Sequence, residues 1–135
     1  VAVLEGHVVA SNIIKGNKKK VSYPPMPSVV FTLPTMATVG LLEDDAKEKG
    51  YDINVNFEKV DNWFNARRLN VDEYAYKTII DKNNNTILGA HLIGPHCEET
   101  INLFAMAIKT KMTISDLRTM IFSYPTMASD LTYML

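Results

Sequence analysis

The side chains that could do chemistry near neutral pH are few. Three histidines, His7, His91 and His96, and one cysteine, Cys97, are scattered along 135 residues. Imidazole can ligate a metal or shuttle a proton, and a thiolate can attack or ligate. A metal site needs three or four such groups to converge. His96 and Cys97 are sequence neighbours, and consecutive residues on a helix diverge, so the pair chelates poorly. Cys97 is followed by Glu98 and Glu99, whose charge raises a thiol pKa, and it reads as a buried, inert thiol. A single cysteine also excludes an intrachain disulfide framework and a Cys-rich zinc site. The chain has no glycine-rich dinucleotide turn, no glycine-lysine phosphate loop, no HExxH and no nucleophile elbow. From these residues alone it reads as a domain without a complete catalytic set.

Composition narrows the classes further. Fourteen Lys+Arg against fifteen Asp+Glu leave a formal charge of −1, and the one basic run is Lys18-Lys19-Lys20. That is no electrostatic footprint for nucleic acid. With 47% hydrophobic and 21% charged residues the chain has material for one core, and disorder is not expected. No apolar run reaches membrane-spanning length and no signal-peptide pattern precedes Val1, so a cytoplasmic protein is expected. The chain opens without Met in an amphipathic run, which reads as part of something longer.

Periodicity sets out the elements that must position any site. Val1, Leu4, Val8 and Ile13 or Ile14 follow helical spacing up to Gly16, a residue suited to the positive φ of a helix C-cap. Asn17–Pro27, with three prolines among its last four residues, reads as a linker. Ser28–Leu33 and Met36–Leu42 are strand-like around Pro34. Glu43–Lys49 is a helix whose acidic first turn and basic last turn match the helix dipole. Asp52–Val60 alternates, with Ile53, Val55 and Phe57 on one side, as a half-buried strand does. Glu73–Asp81 and Thr86–Gly94 form a hairpin through Lys82-Asn83-Asn84-Asn85, since Asn tolerates the left-handed backbone of a turn. Glu98–Lys111 is helical, Thr113–Asp116 has the capping-box form, and Thr126 and Ser129 start a last helical turn. Met106, Met112 and Met120 are expected on core faces, where Met fills gaps. The sum is an α+β fold: a mostly antiparallel sheet with helices packed on it and gathered toward the C-terminal half.

Four ordered segments resemble one family. Pro27–Pro34 with Thr35–Leu41 resembles the entry to the C-terminal dimerisation domain of the flavin-dependent pyridine nucleotide–disulfide oxidoreductases, which include glutathione reductase, dihydrolipoamide dehydrogenase and mercuric reductase. Tyr76–Asp81 followed by Ile87–Gly94 resembles that domain's central hairpin, and Glu99–Ile108 its long helix. Phe122-Ser123-Tyr124-Pro125-Thr126 falls where the family's His-Pro-Thr segment belongs. Val1–Gly16 resembles the last helix of the preceding FAD domain.

The resemblance implies a division into an FAD-domain helix (1–16), a linker (17–27) and a dimerisation domain (28–135). It implies a longer protein with FAD and NAD(P)H domains upstream, paired as a two-fold homodimer in which this domain completes the partner's active site. Val29, Phe31, Tyr124 and Pro125 are then the cofactor-facing positions of the complete protein, while the chain alone should hold no flavin, no nucleotide and no metal. The sequence departs from the family at both catalytic places. Tyr124 stands where the family's acid/base His belongs, and Ser129 where its Glu belongs. A tyrosine, with a pKa of about 10, is a poor base at neutral pH but still donates a hydrogen bond, so Tyr124 has either a chemical or a purely structural role. The chain ends Leu131–Leu135 without the vicinal Cys pair of mercuric reductases, so the sequence does not support mercury reduction. The apolar run Met127, Leu131, Met134 and Leu135 is expected at the face that pairs subunits. The alternatives are a free-standing protein-binding module and an enzyme complete in this chain.

Overall fold

The computed structural model describes residues 1–135. In chain order the elements are α1 (Ala2–Lys15), β1 (Ser28–Val30), β2 (Met36–Gly40), α2 (Glu43–Glu48), β3 (Ile53–Lys59), α3 (Phe64–Leu69), β4 (Ala75–Asp81), β5 (Thr86–Ile93), α4 (Cys97–Thr110), α5 (Ile114–Arg118) and a 3₁₀ helix, Met127–Met134. The strands form one sheet in the order β1-β2-β5-β4-β3, and every pairing is antiparallel. The fold is therefore the expected α+β arrangement, although the helices are spread along the chain rather than gathered at its end.

The β4–β5 hairpin is the centre. Asp81 caps its turn, accepting from Asn83 N at 2.9 Å and Asn84 Nδ2 at 2.6 Å, and Asn85 takes φ 54°. Tyr76, Thr78 and Ile80, at alternate positions of β4, are all buried, and the β4–β5 register shifts at Ile79/Ile80. One sheet face carries α4, which buries Ile101, Phe104 and Ala107 among Val39, Ala90 and Leu92. At 25 cal/mol per Å², a fully buried side chain of this size stabilises by about 2–3 kcal/mol. The other face carries α2, tied to β4 by Glu43 and Lys77, 2.6 Å apart. Gly40 and Gly89 face each other across β2 and β5. A Cβ on Gly89 would strike the Leu41 carbonyl, and one on Gly40 the Leu88 carbonyl. The strands approach there because neither residue has a side chain.

Several expectations change. β1 stops at Val30, before the turn through Pro34, and Phe57, on the edge strand β3, is 72% exposed. Met106 and Met120 are 64% and 45% exposed, not core residues, since Ile101, Phe104 and Ala107 already fill the inward stripe. The apolar C-terminal run is not a free face: Met127, Leu131, Met134 and Leu135 are all buried in this domain's own core. The 3₁₀ helix lies against β4, where Thr78 Oγ1 donates to the Met134 carbonyl at 2.6 Å, and none of those four residues is more than 8% exposed. α3 has no counterpart in the periodicity of the sequence.

α1 stands apart. None of its residues is buried, and Val3, Val9, Ile13 and Ile14 are exposed. Residues 17–27, which contain no helix or strand, return along it: the Asn12 side chain donates to the Lys19 carbonyl and accepts from the Lys19 amide, each at 2.9 Å, and Tyr23 OH donates to Glu5 at 2.6 Å. No helix is long and apolar enough to cross a membrane.

Candidate functional site: the Tyr124 loop

Tyr124 lies on the loop between α5 and the 3₁₀ helix, joined to Pro125 by a cis peptide bond. Its side chain is 69% exposed, and its ring stacks on Phe64 of α3 with centroids 5.8 Å apart and planes 28° apart. Thr126 ends the loop by capping the 3₁₀ helix. Its hydroxyl accepts from Ser129 N at 3.2 Å, and Ser129 Oγ accepts from Thr126 N at 3.4 Å. Ser129 Oγ donates to the Thr126 carbonyl at 2.6 Å. Ser129 is thus occupied in a capping box.

A buried polar knot holds the loop from beneath. Asn65 Nδ2, fully buried, donates to the Thr126 carbonyl and to Asp130 Oδ1, each at 2.9 Å. Tyr74 OH donates to Asp130 Oδ2 at 3.1 Å, and Arg68 Nη2 to Asn65 Oδ1 at 3.4 Å. Burial raises the Asp130 carboxyl above the usual carboxylate range, while hydrogen bonds from Asn65 and Tyr74 and the charge of Arg68 pull it back. Burial, and then the Asp130 charge, push the Tyr74 hydroxyl far above the tyrosine range, so it stays a donor. Unmet, either carboxylate oxygen would cost roughly 1–3 kcal/mol or more. The sequence reading found none of Asn65, Tyr74 and Asp130. Asp130 directly follows the Thr126-x-x-Ser129 cap, a pattern too common to single it out, and Asn65 and Tyr74 carry no signal in the sequence.

Two clefts flank the loop. One, of ≈ 490 Å³, opens between Arg68, the start of α4 (His96, Glu99, Thr100) and Pro125–Ala128. The other, of ≈ 360 Å³, is walled by Trp63, Phe64, Tyr124 and Tyr133, with Arg67 and Asp130. Trp63 extends this aromatic wall inward, packing on Tyr74, Tyr76 and Tyr133 with centroids 5.8–6.1 Å apart.

The remaining candidates lie elsewhere. Val29 and Phe31 belong to the β1 side, at the opposite edge of the sheet from β3. One row runs Val30–Met36–Ile93–Ala75–Lys59 across all five strands. Four strand spacings separate its ends by ~19 Å, and the aromatic partner of Tyr124 is Phe64 rather than Phe31. Val29 is half-buried and Phe31 is 80% exposed. His91 sits between the Thr38 hydroxyl and the Leu41 carbonyl, which accepts from Nε2 at 3.2 Å, and burial lowers its pKa toward the neutral form. His96 has a left-handed backbone at the start of α4. Cys97 is 1% exposed, and burial with the Glu98 charge pushes its thiol up to about 12, leaving no thiolate for chemistry. No three His, Cys, Asp or Glu side chains come together as a metal site. A dinucleotide pyrophosphate rests on a glycine-rich strand–turn–helix unit of a parallel sheet. Here every pairing is antiparallel, so the sheet is not built as such a unit.

A five-stranded antiparallel sheet backed by one long helix, with an outward tyrosine loop where a His-Pro-Thr segment is expected, defines the class: a domain that pairs subunits of flavoprotein disulfide reductases. The comparisons agree. The model of the pyridine nucleotide-disulphide oxidoreductase dimerisation domain matches residues 26–135, and the chain belongs to that family. It is 48% identical, over its whole length, to a 19.7 kDa protein of the mercuric resistance operon in Staphylococcus aureus, covering 75% of it. It is 35% identical over 131 residues to mercuric reductase of Lysinibacillus sphaericus but spans only 24% of that enzyme. The HOCl-induced flavoprotein disulfide reductase RclA from Escherichia coli superposes with TM-score 0.83 at 30% identity, over 95% of this chain and 30% of that one.

Proposed function

We propose that this chain pairs the subunits of an FAD- and NAD(P)H-dependent disulfide reductase as a two-fold homodimer and presents Tyr124 to its partner's redox site. The observation that carries this is the Tyr124 loop itself. A large aromatic side chain is held 69% exposed on a stacked neighbour, while the backbone beneath it is tied by a buried hydrogen-bond network. An exposed anchor on a stiff support is what a pairing face needs. On this reading residues 1–16 belong to an upstream FAD domain, 17–27 are the linker and 28–135 are the pairing domain. Val29, Phe31 and Pro125 face the cofactor side of the complete protein, which is cytoplasmic and engages neither membrane nor nucleic acid. The Tyr124 hydroxyl donates a hydrogen bond to a thiolate or oxyanion; it does not serve as the base. Ser129, engaged with Thr126, takes no proton.

The 19.7 kDa relative favours a second reading, because only a quarter of its length lies outside the match. On that reading the chain is a free-standing module that binds a protein partner and carries no redox centre. Light scattering over a concentration series tests the first reading. A mass of twice 15.2 kDa is expected, and a strict monomer at high micromolar concentration overturns it.

A further inference from the structure

We propose that α3 is the positioning element of the Tyr124 loop and that Phe64 is the residue that sets the tyrosine ring. This rests on the reading of Tyr124 as the side chain presented to a partner, and it adds how the presentation is achieved. Two consecutive residues of α3 grip the loop in different ways. Phe64 faces outward, 52% exposed, and stacks on the Tyr124 ring. Asn65 faces inward, fully buried, and donates at 2.9 Å to the Thr126 carbonyl two residues beyond that tyrosine. A third contact closes the frame, since the same amide donates to Asp130 in the 3₁₀ helix that follows the loop.

The geometry separates the two tasks. Neighbouring residues on a helix project about 100° apart, so one turn of α3 reaches both the surface and the core. The inward residue fixes where the loop backbone runs. The outward residue offers a flat face that restricts the ring above it, and no other aromatic ring stacks on Tyr124. Phe64 is otherwise poorly placed for a core role: half its surface is open, and its neighbour Trp63 already supplies the inward packing on Tyr74 and Tyr76. An exposed phenylalanine whose one aromatic contact is the site tyrosine is a positioning residue.

The test uses the full chain with ring-labelled tyrosine, read by NMR. In Phe64→Leu the Tyr124 ring signals are expected to move toward those of free tyrosine, while the Tyr74, Tyr76 and Tyr133 signals hold. Losing one stacked ring shifts the docked-to-undocked ratio about two- to tenfold. Phe64→Tyr, which keeps the flat face, should restore the signals. Urea midpoints of both variants should match the parent, which separates loss of position from loss of fold. Tyr124 signals that stay in place in a folded Phe64→Leu chain overturn the proposal, as does failure of Phe64→Tyr to restore them. Subunit pairing is read separately by mass. A monomer with shifted ring signals removes the pairing role and leaves the positioning intact, whereas a dimer with unmoved signals does the reverse.

Discussion

Helices α1 and α4 are each fourteen residues long, and they meet opposite fates. α4 buries Cys97, Thr100, Ile101, Phe104 and Ala107 against the sheet, while α1 buries nothing and leaves Val3, Val9, Ile13 and Ile14 open. Capping does not separate them, because neither has a side-chain hydrogen bond at its N-cap. The difference is a covering surface. An amphipathic stripe adds to a helix's stability only where another element removes that stripe from water. α4 has β2 and β5 beneath it; α1 touches its own tail through Glu5 and Asn12.

The comparison breaks most visibly at Phe104. Phe104→Ala, at a site with no exposure, should cost ~3–5 kcal/mol, read as a fall in the urea midpoint at unchanged slope. A loss below 1 kcal/mol would show that α4 is held by something other than burial. Capping itself is measured on α5, where Thr113 and Asp116 satisfy each other's backbone amides at 3.1 and 3.0 Å. Thr113→Ala should cost about 1 kcal/mol. A cost as large as that of Phe104→Ala would mean that ends, not faces, decide which helices persist here.

α2 lies between the extremes, since it buries Ala46 and is otherwise tied by charge. Hydrogen bonds from Lys47 and Lys77 lower the Glu43 carboxyl to about 2. A folded-state pKa below the unfolded one contributes stability above the unfolded value, near pH 4.5, that is lost as pH falls toward about 2. The buried Asp130, raised instead, contributes in the opposite sense and loses its share as pH rises. Urea midpoints at pH 6 and pH 3 should therefore differ less in Glu43→Gln than in the parent; equal differences would remove α2's electrostatic tie. The smallest effect belongs to α1. Ile13→Lys with Ile14→Lys, both about 80% exposed, should change the stability of the chain by less than ~0.5 kcal/mol. A larger loss would mean that α1 is covered in solution, and the two helices would no longer differ in kind.

What the sequence made legible was local. The Asn-rich hairpin, the Thr113–Asp116 capping box and the strand runs depend on neighbours in the chain, and each appears where its residues sit. Tertiary facts were hidden. Six residues with no side-chain cap and no apolar period gave α3 no signal, yet α3 supports the candidate site. Met127, Leu131, Met134 and Leu135 looked like a pairing face because periodicity reports that a stripe will be covered without reporting by what. In the same way Tyr124 was legible by its place before Pro125. The Asn65–Asp130–Tyr74 knot beneath it joins residues that no short-range rule connects.

That knot also fixes an order of events during synthesis. Its bonds span 56 to 65 residues, and both acceptors lie near the C-terminal end of the chain. Asn65 and Tyr74 leave the ribosome long before Asp130 exists, so the sheet must wait with these donors unpaired. The bonds that fix the Tyr124 loop form only once Thr126 and Asp130 have been made. A nascent chain that stops short of Asp130 therefore lacks the side chain that ties Asn65 and Tyr74 together beneath the Tyr124 loop.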